Sequence, residues 1–235
     1  MTSFNDVVSQ FRIEGTVESV SPIGNGLINE TLRVKTVDAN TPDYILQRIN
    51  NAIFTDVDLL QHNIELVTDH IRHKLMEKGE TDIERKCLRF VQAKDGKSYY
   101  KDADNLYWRV SVFIPNAVTK EEVNPESAFC CGETFGNFQN MLVDLKEPLG
   151  ETIPDFHNME LRLRQLREAV SADKAGRVAS VKDMIAELES YADEMCLAER
   201  LYREGALPKR ICHCDTKVNN MMFDKDGKVL CVIDL

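Results

Sequence analysis

Along the first half of the chain, apolar and polar residues alternate in short runs separated by turn formers, the period of half-buried strands. Residues 16–22 (TVESVSP) and 31–37 (TLRVKTV) show this alternation and are joined by a glycine-containing loop, and residues 44–49 (YILQRI) predict a third strand. The period then changes. Over residues 56–78, Leu60, Ile64, Val67, Ile71 and Leu75 recur at spacings of three and four, one face of a long helix. Two more strands are predicted over 88–93 and 106–114 (LYWRVSVFI), with Asp-Gly and Asp-Asn turn signals between them.

From Pro115 onward the helical period dominates. Asn124 is suited to an N-cap and Pro125 to the first helical position, and Ala128, Cys131, Phe135, Phe138, Leu142 and Leu145 follow as one apolar stripe. A further helix is predicted over 158–170. Another starts at Ser180, with Val181, Ile185, Leu188, Ala192 and Met195 inward and Gly205 as its stop. The chain closes on a short hairpin, residues 220–223 and 229–233, turning through Asp224-Lys225-Asp226-Gly227. Strands therefore come first and helices second, with a break near Pro115-Asn116. This order predicts an α+β protein in two lobes, a sheet-rich lobe over 1–115 and a helical one over 116–235; a single α+β domain is the alternative.

Composition narrows the function classes. Hydrophobic residues make up 43% and charged residues 29%, ordinary for a globular chain, and the net charge of −10 speaks against a nucleic-acid surface, which needs clustered Lys and Arg. An acidic chain can still take ATP, because Mg²⁺ supplies the positive charge and acidic ligands hold it. The seven cysteines form no C-x-x-C pair, which predicts reduced thiols. No basic-then-apolar leader opens the sequence, and no run approaches the roughly 20 apolar residues of a membrane span. A cytoplasmic protein without membrane or nucleic-acid partners is expected.

The strongest chemical signal is His213-Cys214-Asp215-Thr216-Lys217-Val218-Asn219-Asn220, an H-x-D-x-x-x-x-N pattern directly before the closing hairpin, whose far strand runs into Asp234. Moving a γ-phosphoryl group onto a hydroxyl requires a carboxylate beside the acceptor proton. It also requires oxygen ligands that hold Mg²⁺ against the phosphates. Asp215 fits the first role, Asn220 and Asp234 the second, and His213 would brace the loop. The plainer alternative is a polar turn in which Asp215 and Asn220 satisfy backbone amides.

A second signal, Gly24-Asn25-Gly26-Leu27-Ile28-Asn29-Glu30-Thr31, lies between the first two strands, where a loop covering phosphates belongs. Glycines at such a place admit backbone N–H groups to phosphate oxygens, although Gly-Asn-Gly is also an ordinary hairpin turn. No GK[ST] follows, and a strand rather than a helix comes next, so the loop is neither a Walker A motif nor a dinucleotide fingerprint. A kinase-like sheet also needs a cation from its third strand. That strand carries no lysine, and Arg48 is the candidate, with a solvent-facing arginine as the alternative. Its partner on the long helix stays unassigned: Glu65 is the acid available but turns away from the apolar stripe, and Asn63 lies nearer the stripe's edge. His62, His70 and His73 lack the companions of a metal site and read as a solvated helix face.

The loop HCDTKVNN followed by VLCVIDL resembles the catalytic and metal motifs of the aminoglycoside phosphotransferase and choline kinase superfamily. More narrowly, YILQRINNAIF, YWRVSVFIPNA and GETIPDFHN resemble N-acetylhexosamine 1-kinases. The resemblance implies a protein-kinase-like bilobal fold, an antiparallel-sheet N-terminal lobe with a helical C-terminal lobe. It implies ATP and Mg²⁺ as cofactors, with Asp215 as base, Asn220 and Asp234 on the metal, and Gly24, Asn25, Gly26, Asn29 and Thr31 around the nucleotide. The backbone from Ile114 to Asn116 would receive adenine, and Asp155 and His157 would lie near an amino sugar. Superfamily members continue with helices beyond the metal aspartate, so the sequence reads as the first two-thirds of such a kinase, its C-terminal lobe incomplete. Rival readings are a choline- or aminoglycoside-type acceptor, and a nucleotide-binding pseudokinase or regulatory module. A protein substrate is disfavoured because Asp234-Leu235 is not D-F-G.

Overall fold

The computed structural model describes residues 2–23 and 29–235. These form two compact units, Met1–Thr152 with Ile211–Leu235, and Ile153–Arg210. In the first unit the element order is α1 (Phe4–Val8), β1 (Val17–Pro22), β2 (Glu30–Thr36), β3 (Tyr44–Ile49), α2 (Val57–Glu77), α3 (Ile83–Lys86), β4 (Phe90–Val91), β5 (Tyr100–Lys101), β6 (Tyr107–Val112) and α4 (Pro125–Met141). The second unit holds α5 (Met159–Ala172), α6 (Lys182–Ser190), α7 (Ala192–Met195) and α8 (Leu197–Arg203). The chain then returns to the first unit with the hairpin β7 (Met221–Phe223) and β8 (Val229–Val232). Pro115 and Asn116, the expected lobe boundary, lie inside the first unit.

The six strands from β1 to β6 form one antiparallel sheet in the order β1-β2-β3-β6-β4, with β5 paired to β6. Strand alternation gives it two chemically different faces. On one, Leu32, Val34, Tyr44, Leu46, Val110 and Val112 pack with Val7, Val8 and Phe11. Those three come from α1 and the residues after it. This short helix was not expected from the hydrophobic pattern, yet Ser3 and Asp6 form a capping box at its start.

On the other face, Ile49 packs with Val57, Leu60 and Ile64 of α2 and with Tyr99, and partly buried Phe54, Phe90, Tyr107 and Leu235 join them. The α2 stripe continues as Val67 and Ile71 against Phe138 of α4 and Leu142, its C-cap. Phe135 of α4 packs on Val218, Met221 and Phe223, which fixes the hairpin to that helix. The segment after β6 is pinned to the hairpin by Val118, whose N–H and carbonyl both bond to Phe223 at 2.9 and 2.8 Å.

Two expected elements differ. The strand predicted over 88–93 shrinks to two residues, since β4 pairs only through Phe90 and Val91. The helix predicted from Ser180 to Gly205 is a 3₁₀ turn followed by α6, α7 and α8, broken at Tyr191 and Cys196. Within its unit Ala192 alone is buried, and Met184, Leu188 and Tyr191 remain exposed. An apolar stripe with so little packing does not hold a long helix together. Ion pairs from Arg167 to Glu189 and from Arg203 to Glu160 join α5 to α6 and α8. Among the described residues no helix is long and apolar enough to cross a membrane.

Candidate active site

The loop before β7 organises the reactive groups through its own backbone. Imidazole Nε2 of His213 lies 2.8 Å from the Ile233 carbonyl and Nδ1 lies 3.4 Å from the Asp215 backbone nitrogen. A carbonyl can only accept, so Nε2 is the nitrogen that donates to Ile233. Phe135 and Phe138 meet its ring edge-to-face at 5.2 and 5.9 Å. His213 thus ties the loop to Ile233, the residue after β8.

Asp215 is exposed, with its Oδ2 at 2.6 Å from Lys217 Nζ and 2.9 Å from Asn220 Nδ2. The Lys217 ammonium chiefly, with the Asn220 amide, holds this carboxyl below the usual carboxylate range against the opposing effect of partial burial. Asp215 is ionised at neutral pH and keeps Oδ1 for a further donor. Lys217 was not singled out in the sequence, although a cation two residues after an acid in a loop is a visible signal.

Asn220 is 5% exposed, and its Nδ2 donates both to the Asp215 main-chain oxygen and to its carboxylate, each at 2.9 Å. With the nitrogen end committed, the amide oxygen is the end left for a cation. The main-chain carbonyl of Asn220 accepts from the Ile233 N–H at 3.0 Å, which ties the residue before Asp234 to the same loop. Asp234 is exposed and has φ +64. Cys214, before Asp215, is likewise left-handed at φ +66.

The donor types of Asn220 and Asp234 are those a magnesium ion takes. Both offered ends are oxygens, and among the described residues no cluster of three or more His, Cys, Asp or Glu could hold a metal by itself. Mg²⁺ is commonly held through one or two protein oxygens with the rest supplied by phosphates and water, unlike a zinc site with its closed set.

The cation of the sheet is not where the sequence places it. Arg48 shares the face of Tyr44 and Leu46, and it pairs with Glu30 at 2.9 Å with 43% of its side chain exposed. The opposite face, covered by α2 and Leu235, carries Gln47 at that level of β3, so Arg48 lies on the side of the sheet away from α2. A charge does stand there, on β6. Arg109 is 4% exposed, with Nε 3.0 Å from Gln47 Oε1 and Nη1 3.4 Å from both Gln61 Oε1 and the Leu235 main-chain oxygen. Its signal was an arginine at an inward position of an otherwise apolar strand. The helix partner is Gln61, 2% exposed, and neither Glu65 nor Asn63. Asn63 is engaged with the backbone of Gly150 at 2.8 and 3.2 Å.

Gly24, Asn25 and Gly26 lie outside the described residues. Thr31 Oγ1 accepts from Gln47 Nε2 at 3.1 Å, on the Arg109 face, and Asn29 Oδ1 accepts from the Asn50 N–H at 3.1 Å. Ile114 is buried, and Asn116 has φ +52. Arg85 of α3 donates to the carbonyls of Pro115 and Asn116 at 3.2 and 3.1 Å and fixes that segment's course. Asp155 and His157 belong to the second unit. There Asp155 Oδ1 accepts from Asn158 Nδ2 at 3.0 Å, and His157 stacks edge-on with Phe156 at 4.8 Å. His62 and His70 pair with Glu147 and Asp144 at 2.9 and 3.0 Å, as a solvated face does.

An antiparallel sheet backed by one long helix, linked to a loop and hairpin that present Asp215, Asn220 and Asp234, defines a kinase-like fold. The sequence pattern of the phosphotransferase enzyme family matches residues 19–235, and the chain belongs to that family. Solved structures share the fold. An aminoglycoside phosphotransferase from Alicyclobacillus acidocaldarius superposes with a TM-score of 0.55 at 19% identity, covering 98% of this chain and 64% of its own length. A spectinomycin phosphotransferase, solved with ADP and spectinomycin, gives 0.55 at 12% identity, with 94% and 64% covered. A microcompartment-associated aminopropanol kinase gives 0.53 at 18%, with 97% and 66% covered. The chain thus spans 64% of the length of the first two.

Proposed function

We propose that this chain carries the nucleotide-binding and catalytic part of an ATP-dependent kinase acting on a hydroxyl of a small molecule, most specifically the anomeric hydroxyl of an N-acetylhexosamine. The carrying observation is the Asn220 amide, which bonds through its nitrogen to both the main chain and the carboxylate of Asp215, while its own main chain bonds to Ile233, the residue before Asp234. Residues 1–115 would form the ATP-binding lobe and 116–235 part of the catalytic lobe. The sugar assignment is supported by the resemblance of YILQRINNAIF, YWRVSVFIPNA and GETIPDFHN, the last of which contains Asp155 and His157. An amino-alcohol or aminoglycoside acceptor is the second reading, favoured by the kinds of phosphotransferase that share the fold. All seven cysteines are free thiols, which suits a reducing compartment such as the cytoplasm.

In this reading Asp215 Oδ1 orients the acceptor hydroxyl and receives its proton as the new phosphorus–oxygen bond forms and the bond to ADP breaks. Lys217 keeps that carboxylate ionised and in place. Asn220 and Asp234 would hold Mg²⁺, which when bound neutralises charge on the phosphates. Thr31 and Asn29, with the Gly24–Gly26 segment, would line the nucleotide, and the backbone of Ile114–Asn116 would meet adenine.

The test is ADP release with ATP, Mg²⁺ and a panel of N-acetylhexosamines, amino alcohols and aminoglycosides. Asp215→Asn should lower turnover on the preferred acceptor by roughly 100-fold or more while ADP affinity stays within about twofold. Near-normal turnover in that variant would remove Asp215 from the base role. Preference for an amino alcohol would replace the sugar assignment and leave the kinase reading intact.

A further inference from the structure

A fully enclosed guanidinium in a small sheet is costly unless its donors are met and a counter-charge is near. Arg109 meets groups from four parts of the first unit through Nε, Nη1 and its planar face, and the Asp234 carboxylate is its nearby counter-charge. Gln47 of β3 and Gln61 of α2 each present a side-chain oxygen to it. Both amides are held in that orientation from their far ends, Gln47 Nε2 by Thr31 at 3.1 Å and Gln61 Nε2 by the Ser98 carbonyl at 3.1 Å. The guanidinium carbon stands 5.3 Å from the centre of the Phe90 ring. The remaining contact is to the main-chain oxygen of Leu235, whose side chain is set among the apolar residues against α2 and α4. Burial pushes the guanidinium down to about 10, partly offset by the Asp234 carboxylate, so the group stays charged at neutral pH.

Asp234 lies between two anchors. Before it, Ile233 bonds through its N–H to Asn220 and through its carbonyl to His213. After it, Leu235 is fastened to the sheet by Arg109. Between them Asp234 has left-handed backbone and is exposed. We propose that Arg109 is the positioning residue for the Asp234 carboxylate, clamping the segment beyond it to β3, β6 and α2 so that the carboxylate is presented to a divalent cation in one geometry. A lysine could not do this in full, because one ammonium lacks the planar fork that meets Gln47 with Nε and Leu235 with Nη1.

The inference rests on the reading of Asp234 as a metal ligand, and the experiment separates the two. Mn²⁺ binding in saturating ADP is measured by electron paramagnetic resonance of free Mn²⁺, and metal-free ADP binding by calorimetry, for the wild-type chain, Asp234→Asn, Arg109→Met and Arg109→Lys. Arg109→Met should weaken Mn²⁺ about 10-fold or more, the usual effect of removing a group that orients a ligand. Metal-free ADP affinity should stay within about twofold, and Arg109→Lys should recover part of the loss. If Asp234→Asn weakens Mn²⁺ but both Arg109 variants bind it like wild type, the positioning role is overturned and the metal reading survives. If Asp234→Asn leaves Mn²⁺ unchanged, or ADP adds nothing to Mn²⁺ binding in the wild type, the metal reading falls and the inference with it. Should Arg109→Met not fold, Arg109→Lys and Gln61→Leu take its place, the latter expected to weaken Mn²⁺ by a smaller factor; unchanged Mn²⁺ affinity in both overturns the role.

Discussion

The two faces of the six-stranded sheet are built from the same strands, yet they do different work. The face under α1 is almost wholly apolar, with Leu32, Val34, Leu46 and Val110 at 1% exposure or less. The face under α2 carries a line of polar groups, Thr31 to Gln47 to Arg109 to Gln61, each bonded to the next. The difference teaches a division of labour. The first face holds the sheet together by burial, and the second spends some of that stability to hold a charge where the hairpin arrives.

Substitutions can sharpen or break this contrast. The largest effect on stability is expected from Leu46→Ala on the apolar face, a loss of about 2–5 kcal/mol in urea unfolding with ADP affinity unchanged in the folded fraction. A change in ADP affinity per folded molecule would show that the faces are coupled. Gln61→Leu on the polar face should lower stability less, by about 1–3 kcal/mol, because it strips an acceptor from a buried cation and a donor from the Ser98 carbonyl. Arg48→Ala should matter least. Its pair with Glu30 is substantially exposed and is expected to contribute less than about 1 kcal/mol, with no change in Mn²⁺ or ADP binding. A larger loss of ADP binding in Arg48→Ala than in Gln61→Leu would reverse the assignment of the faces.

Much of this architecture is legible in local pattern. The strand over residues 44–49 is found as predicted, and the long helix differs from its predicted bounds by one residue at each end. The relation of His213, Asp215 and Asn220 follows from their spacing, because a tight loop before a hairpin satisfies itself with nearby groups. Alternation likewise shows that Arg48 and Gln47 point to opposite sides. It does not show which side receives α2 and Leu235, since that depends on chain segments far away in sequence. Arg48 was chosen for its charge, whereas the fold places an uncharged amide there and borrows the charge from β6. The segmented helices after Ser180 escaped for a related reason: periodicity reports an apolar stripe but not whether enough packing covers it.

The left-handed backbone at Asp234 and Cys214 narrows the ways the chain can change at its reactive end. A side chain with a branched β-carbon is strongly disfavoured at such a φ, and alanine is strained there, while Asn, Asp and Gly are accommodated. Random substitution at Asp234 therefore tends to disturb the main chain and the carboxylate together. Asparagine is the exception, exchanging charge for an amide without disturbing the backbone. If Asp234 holds a cation as proposed, that single exchange is the one most able to weaken the cation while leaving the fold intact.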